Sequence, residues 1–490
     1  MPPIPLSRTA LPRLADAIAR PTYDLAAVRP GIVHLGLGGF HRAHMARYTH
    51  DLMARRPDAR GWGIVGAGLL PTDRALQEAL AAQDRLYSLV ERGGAEERVT
   101  VIGSLAGLAG ADDVPAAIDG PDIRIVSLTV TANGYGLNSA TKALDPDNPA
   151  IARDLADLER PRSAIGVLVE ALRRRKLAGR PAFSAMSCDN IQGNGQVLRR
   201  AVLAFAGLRD PALADWISAK ARFPSTMVDR ITPVTTPADI ASLAERHDIA
   251  DRAPVVCEPF IQWVIEDDFA DGRPDWDAVG AQFVADVAPY ELMKLRLLNA
   301  SHLAVAGLGR LIGYRFVDEA MGDGRIHDFM RALMDRETGP TLQPVPGVDL
   351  AAYKRALIER FANPAIKDTV ERINTDAPLS YLLDPIRDRL RAGASVDLLS
   401  LALAAWMRRV RGVDEAGAPI DVRHPLAAEL RERAIDGGPD PTPLFGLTAL
   451  FGDLGASPAL RAATGRWLAS LYDVGAAETL ARAMAEDASG

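Results

Sequence analysis

Gly31–Ala54, GIVHLGLGGFHRAHMARYTHDLMA, is the stretch on which the fold turns. Its first seven residues are mostly apolar and read as a buried strand. Gly36-Leu37-Gly38-Gly39-Phe40-His41-Arg42 reads as a glycine-rich turn, and Ala43–Ala54 as a helix. A strand, such a turn and a helix leave unpaired backbone N–H groups at a helix start, where they can hold a pyrophosphate. The third small position of a G-x-G-x-x-G pattern falls on His41, so the turn alone is a weak signal.

The surrounding sequence repeats the alternation. Strands are expected at Gly63–Gly66, Val99–Ile102, Ile123–Val130, Pro181–Ser187, Val255–Ile265 and Gln282–Val287, with helical patterns between them such as Ile165–Lys176. Alternating strand and helix implies a doubly wound, mainly parallel sheet covered on both faces, with ligands outside the carboxyl ends of the strands. The Gly36 turn, Thr131 and Asn190 all stand at such ends. Asp73, in Gly68-Leu69-Leu70-Pro71-Thr72-Asp73-Arg74, is the carboxylate nearest the end of the second strand, where an acid meets adenosine ribose hydroxyls. Thr72 and Asp73 equally suit a helix N-cap, Arg74 could welcome a 2′-phosphate, and Asn190 is also a good turn former. Met227–Pro233, MVDRITP, is a polar interruption in an apolar setting.

From Pro289 onward strands vanish and helices are expected, for example Ile326–Thr338, Leu350–Asn363, Asp397–Arg411 and Pro458–Tyr472. Two domains follow, 1–288 and 289–490. The second opens with Tyr290–Gly309, YELMKLRLLNASHLAVAGLG, a helical pattern carrying Glu291, Lys294, Asn299 and His302 among apolar residues. At 100° per residue Asn299 lies ~140° round from Lys294 and His302 ~80°, so the four share one broad face. Arginine serves nearly everywhere that this chain needs a cation, and lysine is confined to Lys142, Lys176, Lys220, Lys294, Lys354 and Lys367. An ammonium can surrender its proton where a guanidinium cannot, so Lys294 invites a general-base reading. A snorkelling lysine beside satisfied polar groups at a helix–helix contact would give the same pattern.

Bulk properties narrow the class. At 490 residues the chain exceeds one core, and its net charge of −7 with pI 5.7 argues against nucleic acid or an anionic membrane as partner. Cys188 and Cys257 stand in apolar contexts and read as buried thiols of a reducing compartment. No signal peptide is expected from the first twenty residues, and the longest apolar run, Leu398–Met407, is about half a membrane span. A soluble cytoplasmic protein is expected. His34, His41, His44 and His50 cluster in sequence, but their spacing does not converge on a metal, and none is expected.

Taken together, GLGGFHRAH at 36–44, GLLPTDR at 68–74, MSCDN at 186–190, MVDRITP at 227–233, VVCEPFIQWVIED at 255–267, the Lys294/Asn299/His302 spacing and TLQPVPGVDL at 341–350 resemble the polyol-specific long-chain dehydrogenase/reductase family, which includes mannitol 2-dehydrogenases. The resemblance implies a Rossmann-like N-terminal domain, a mostly α-helical C-terminal domain that carries substrate and catalytic groups, and zinc-independent hydride transfer between NAD(H) and an open-chain polyol or ketose. It implies Lys294 as general base, Asn190 and Asn299 as donors to the developing alkoxide, His302 as substrate-orienting, Asp229 and Arg372 as substrate-binding, and Glu291 as proton relay. It places Gly36, Gly38, Gly39, Phe40, Arg42, Asp73, Thr131 and Asn190 at the cofactor, and is compatible with a monomer. A G-S-x-K stretch usual after the family's arginine is missing after Arg372, which leaves the far end of the substrate open; a hexuronate (fructuronate-type) reductase is the alternative, but it would want an extra cation there, so the missing lysine favours the polyol. Thr72 stands where a glutamate is common, which leaves NADP open. A non-catalytic dinucleotide-binding protein is the remote reading.

Overall fold

The computed structural model describes residues 2–94, 96–138 and 141–487 and divides into two compact units, Met1–Ala288 and Pro289–Gly490. The first is built on a five-stranded sheet of β1 (Pro30–Leu35), β2 (Gly63–Ala67), β3 (Leu105–Ala109), β4 (Ile125–Leu128) and β5 (Ser184–Ser187). Its order is 3-2-1-4-5 and every neighbouring pair is parallel. That is the order of a dinucleotide-binding half, with the switch point between β1 and β4. Four of the five strands, all but β3 at the sheet edge, are largely buried because helices cover both faces, and two cores result. Leu35 aligns with Ala67 and Leu128, and Leu128 with Ser187, so the segments after four strands leave the sheet along one edge.

Several expected elements change. The helix after the glycine turn is two, α1 (Gly39–Ala43) and α2 (Met45–Arg55), broken at His44, whose φ of −114° and ψ of −92° are non-helical. The single strand expected over Val255–Ile265 is divided into Val255–Cys257 and Gln262–Glu266, with Pro259 between them unable to donate to a ladder. Strands at Tyr87–Gly93, Leu105–Ala109 and Thr226–Asp229 escape the sequence reading. Thr226–Asp229 overlaps the start of the polar MVDRITP stretch, and pairs antiparallel with Gln262–Glu266. Its polar residues are buried with partners, so hydrophobic patterning does not reveal it.

The second unit is helical. Its first helix, α3 (Ala288–Met293), runs into a π-helical turn, Lys294–Asn299, and then into α4 (Ala300–Ile312). α4 is buried almost throughout, against α5 (Val370–Asp376) and α6 (Asp397–Arg409). Buried Asn374 ties α5 to α4 by donating to the Ala306 carbonyl at 2.9 Å. A second π turn, Leu333–Thr338, replaces the end of the helix expected over Ile326–Thr338. It delivers Glu337 onto the backbone N–H groups of Leu398 and Leu399, 3.0 and 2.7 Å away, which start α6. Among the described residues no helix is long and apolar enough to cross a membrane.

Candidate active site

The glycine turn has the form that a pyrophosphate needs. Gly36 takes φ +96°, and a Cβ there would lie 2.1 Å from the Thr129 carbonyl oxygen, so only glycine lets β1 pass this close to β4. Gly38 caps α1, and a Cβ added to it would meet nothing within 4 Å. The backbone there faces open space at a helix start, as a ligand's close approach requires, and Gly39 and Phe40 follow as the first residues of α1.

Arg42 corrects the expectation that it reaches cofactor. It is 6% exposed, donates to the Ala253 carbonyl and lies over the Tyr87 ring at 5.2 Å, while Tyr87 donates to its carbonyl at 2.6 Å. Desolvation draws its guanidinium below the ordinary value, so it braces α1 from inside. Arg230 does likewise: it donates to the Ala43 carbonyl at 2.6 Å and pairs with Glu91. Asp73 serves as a cap, with one carboxylate oxygen accepting from the Leu70 N–H at 2.9 Å. Its neighbour Arg74 is exposed and paired with Glu78 at 2.8 Å, an acid that opposes a 2′-phosphate.

Asp189 is the residue that the sequence reading missed. Buried beside Asn190, it accepts from the N–H groups of Val130 and Thr131 at 3.2 and 2.8 Å and from the Tyr135 hydroxyl at 2.9 Å. Burial raises its pKa and these three donors pull it back. Thr131, thus held, has φ 61° and ψ 168°, a region essentially reserved for glycine and strained for a β-branched residue. Asp189 therefore locks the segment after β4 to the segment after β5, which presents Asn190 exposed. Asp229 is buried at the end of its strand.

The four clustered histidines have separate roles. His34 contacts Ser127 at 2.8 Å and Thr129 at 2.9 Å, and His41 stacks on it with centroids 3.5 Å apart. His44 contacts the Gln262 carbonyl at 2.9 Å, and His50 the Tyr23 hydroxyl at 2.9 Å. Among the described residues no group of three or more His, Cys, Asp or Glu side chains could hold a metal ion. Both cysteines are free and buried, and burial pushes each thiol up to about 12.

Burial also pushes His34 and His50 down to about 3, from an ordinary 6.5. They stay neutral in the fold while the unfolded chain takes up protons below pH 6.5, so acid favours unfolding. Each histidine should remove stability at up to about 1.4 kcal/mol per pH unit between pH 6.5 and 5. Asp51, Asp189 and Asp251 are raised by burial and act in the opposite sense. Urea midpoints of the first unit should fall steeply from pH 7 to 5, and less steeply in His50→Gln. A flat profile would refute this account.

In the second unit Lys294 opens the π turn and Asn299 closes it, with an i→i+5 bond from the Ala300 N–H to the Leu295 carbonyl. The uniform α-helical rotation expected from the sequence therefore does not apply here. Single π turns inside α-helices recur at functional sites, where they re-aim side chains. Glu291 and Lys294 are each 7% exposed. Asn299 donates to the Tyr381 hydroxyl, which works against the upward shift that burial gives that phenol. Its own Oδ1 is buried and has no hydrogen-bond partner among the described residues. His302 stacks on Phe361 at 4.7 Å, with its Nε2 4.0 Å from Asp368 Oδ2. Arg372 donates from Nε to Asp368 Oδ1 at 2.7 Å and from its Nη2 to the other oxygen. Tyr381 and Asp368 stand outside the motif residues, and only the packing of α4 with its neighbours reveals them.

A doubly wound unit with an open glycine turn, followed by a helical unit with a buried amine and a half-buried amide and imidazole, defines a two-unit dinucleotide-dependent oxidoreductase. The chain belongs to the mannitol dehydrogenase family: residues 30–278 match the mannitol dehydrogenase Rossmann domain and residues 286–471 the mannitol dehydrogenase C-terminal domain. It is similar to the solved Pseudomonas fluorescens mannitol 2-dehydrogenase ternary complex with NAD and D-mannitol, with 42% identity, TM-score 0.92, and 98% of this chain and 99% of that one covered. D-mannonate oxidoreductase of Escherichia coli is 44% identical over 89% of this chain and 92% of its own length. Mannitol 2-dehydrogenase of Emericella nidulans is 42% identical over 92% and 93%.

Proposed function

We propose that this chain is an NAD-dependent polyol dehydrogenase that interconverts an open-chain sugar alcohol and its ketose. The observation that carries the reading is the buried Lys294 at one end of a π turn whose other end is Asn299, in a chain whose first unit has the cofactor turn. Gly36, Gly38, Gly39 and Phe40 would hold the cofactor's pyrophosphate, Asp73 its adenosine ribose, and Thr131 and Asn190 its nicotinamide end. When bound, NAD accepts the hydride that leaves the carbinol carbon.

The chain's own groups handle the proton and the charge. Lys294, as free amine, takes the hydroxyl proton while the carbon–hydrogen bond breaks, and Glu291 passes that proton on toward water. Asn190 and Asn299 donate hydrogen bonds to the oxygen as it gains alkoxide character, a stabilisation worth most where water is excluded. His302 and Asp229 orient the neighbouring hydroxyls, and Arg372 stands at the remote end of the substrate. Reduction of the ketose runs the same steps backwards.

NADH production from mannitol, sorbitol and arabinitol, and NADH consumption with ketoses and fructuronate, tests the reading. Turnover of a polyol pair is expected. The second reading, a hexuronate reductase, rests on the similarity to D-mannonate oxidoreductase and requires mannonate or fructuronate to be the better substrate. For the cofactor, Thr72 is exposed beside Asp73, so Thr72→Glu should lower NADP-linked activity at least about tenfold by charge repulsion and leave NAD-linked activity nearly unchanged. An unchanged coenzyme ratio would place the ribose elsewhere.

A further inference from the structure

Asp368 lies in the short segment between the helix Leu350–Phe361 and α5, and is 3% exposed. Its backbone is fixed on both sides. The Asp368 carbonyl accepts from the Val317 N–H at 3.0 Å, and Thr369 next to it caps α5 by accepting from the Arg372 N–H at 3.2 Å. The carboxylate thus has little freedom, and it faces two groups that the proposed function gives to substrate: the Arg372 guanidinium, held through both oxygens, and His302 Nε2, 4.0 Å from Oδ2. The neighbouring acid Glu371 points elsewhere, to Arg409 at 2.7 Å and Arg310 at 3.4 Å.

We infer that Asp368 is a specificity-determining residue, which neutralises Arg372 and so selects an uncharged polyol over a hexuronate; the inference rests on the proposed function. A guanidinium recognises a ligand carboxylate best through a two-point fork, and the edge of Arg372 made by Nε and Nη2 is already occupied by a protein carboxylate. A hexuronate bringing its own carboxylate to this place meets Asp368 as a like charge and finds the Nε/Nη2 edge already taken. A hydroxyl carries no such penalty. Discrimination of this kind comes from a repulsive element built against the competitor.

Asp368→Asn keeps the shape and removes the charge, which releases the Arg372 fork. Steady-state kcat/KM is measured for fructose and for fructuronate, with NADH, in wild type, Asp368→Asn and Asp368→Asn/Arg372→Leu. Wild type should prefer the neutral ketose. Asp368→Asn should raise the fructuronate-to-fructose ratio about 10- to 100-fold, the worth of one charge-assisted hydrogen-bond pair, and removing Arg372 should abolish the gain. An unchanged ratio in a folded Asp368→Asn, or a gain that survives loss of Arg372, overturns the inference. If the variant does not fold, inhibition of wild-type fructose reduction decides: glucuronate must inhibit at least about tenfold more weakly than neutral hexitols, and equal or tighter inhibition overturns it. A wild type that prefers fructuronate overturns the role of Asp368 and leaves the reaction class standing, whereas a wild type that turns over neither sinks both.

Discussion

Lys294→Ala should lower kcat by at least about 10³-fold, at the upper end of what a general base contributes, while NADH binding stays near the wild-type value. The separation follows from where the groups are. The glycine turn, Thr131 and Asp189 belong to the unit Met1–Ala288, and Lys294 to the unit Pro289–Gly490. Lys294→Arg sharpens the test, because it keeps the positive charge but cannot release a proton at accessible pH. If the lysine served only as a charge, arginine would restore much of the rate. If it were structural, thermal stability and cofactor affinity would fall together with turnover. Stopped-flow hydride transfer and NADH fluorescence titration on the same preparations distinguish these cases.

Asp189→Ala is expected to be the most damaging change to the first unit that leaves every proposed catalytic group in place. It removes the acceptor of the Val130 and Thr131 N–H groups and one of the two partners of the Tyr135 hydroxyl, which keeps Ser187 Oγ at 2.5 Å; a hydrogen bond to a charged group contributes about 1.5–3 kcal/mol, so a loss of about 3 kcal/mol or more is expected. Cofactor affinity should fall with it, since Thr131 would leave its glycine-like conformation. Thr131→Gly makes the opposite prediction: in wild type it should relieve about 1–3 kcal/mol of backbone strain. In the Asp189→Ala background the benefit should shrink, because the segment has already relaxed. Urea denaturation of the four proteins gives the coupling. Additive effects would mean that the carboxylate does not hold Thr131 in place.

Much of the fold can be read from residue pattern because its causes are local. An apolar strand, glycines that allow φ of +96° at Gly36 and open space at Gly38, and a helix behind them are consecutive, so spacing alone announces the turn. The same holds for Lys294, Asn299 and His302, which lie within nine residues. Their geometry is less legible: a π turn arises from competition among backbone hydrogen bonds, and apolar periodicity does not distinguish it from an α turn. Arg42 shows the limit from the other side. A cation in a phosphate-binding turn suggests a ligand, but its true partner is the Ala253 carbonyl, 211 residues away.

By itself the sequence determined the alternation of strand and helix in the first unit, the change to helices after Pro289, the glycine turn, and the chemical types gathered around Lys294. Tertiary structure alone decided that the sheet runs 3-2-1-4-5, that Asp189 turns inward to hold Thr131 while Asn190 stays exposed, and that Asp368 claims Arg372. The reason is physical: local propensity and periodicity act over a few residues. A buried carboxylate instead chooses its donors from whatever the packing of distant segments brings within about 3 Å.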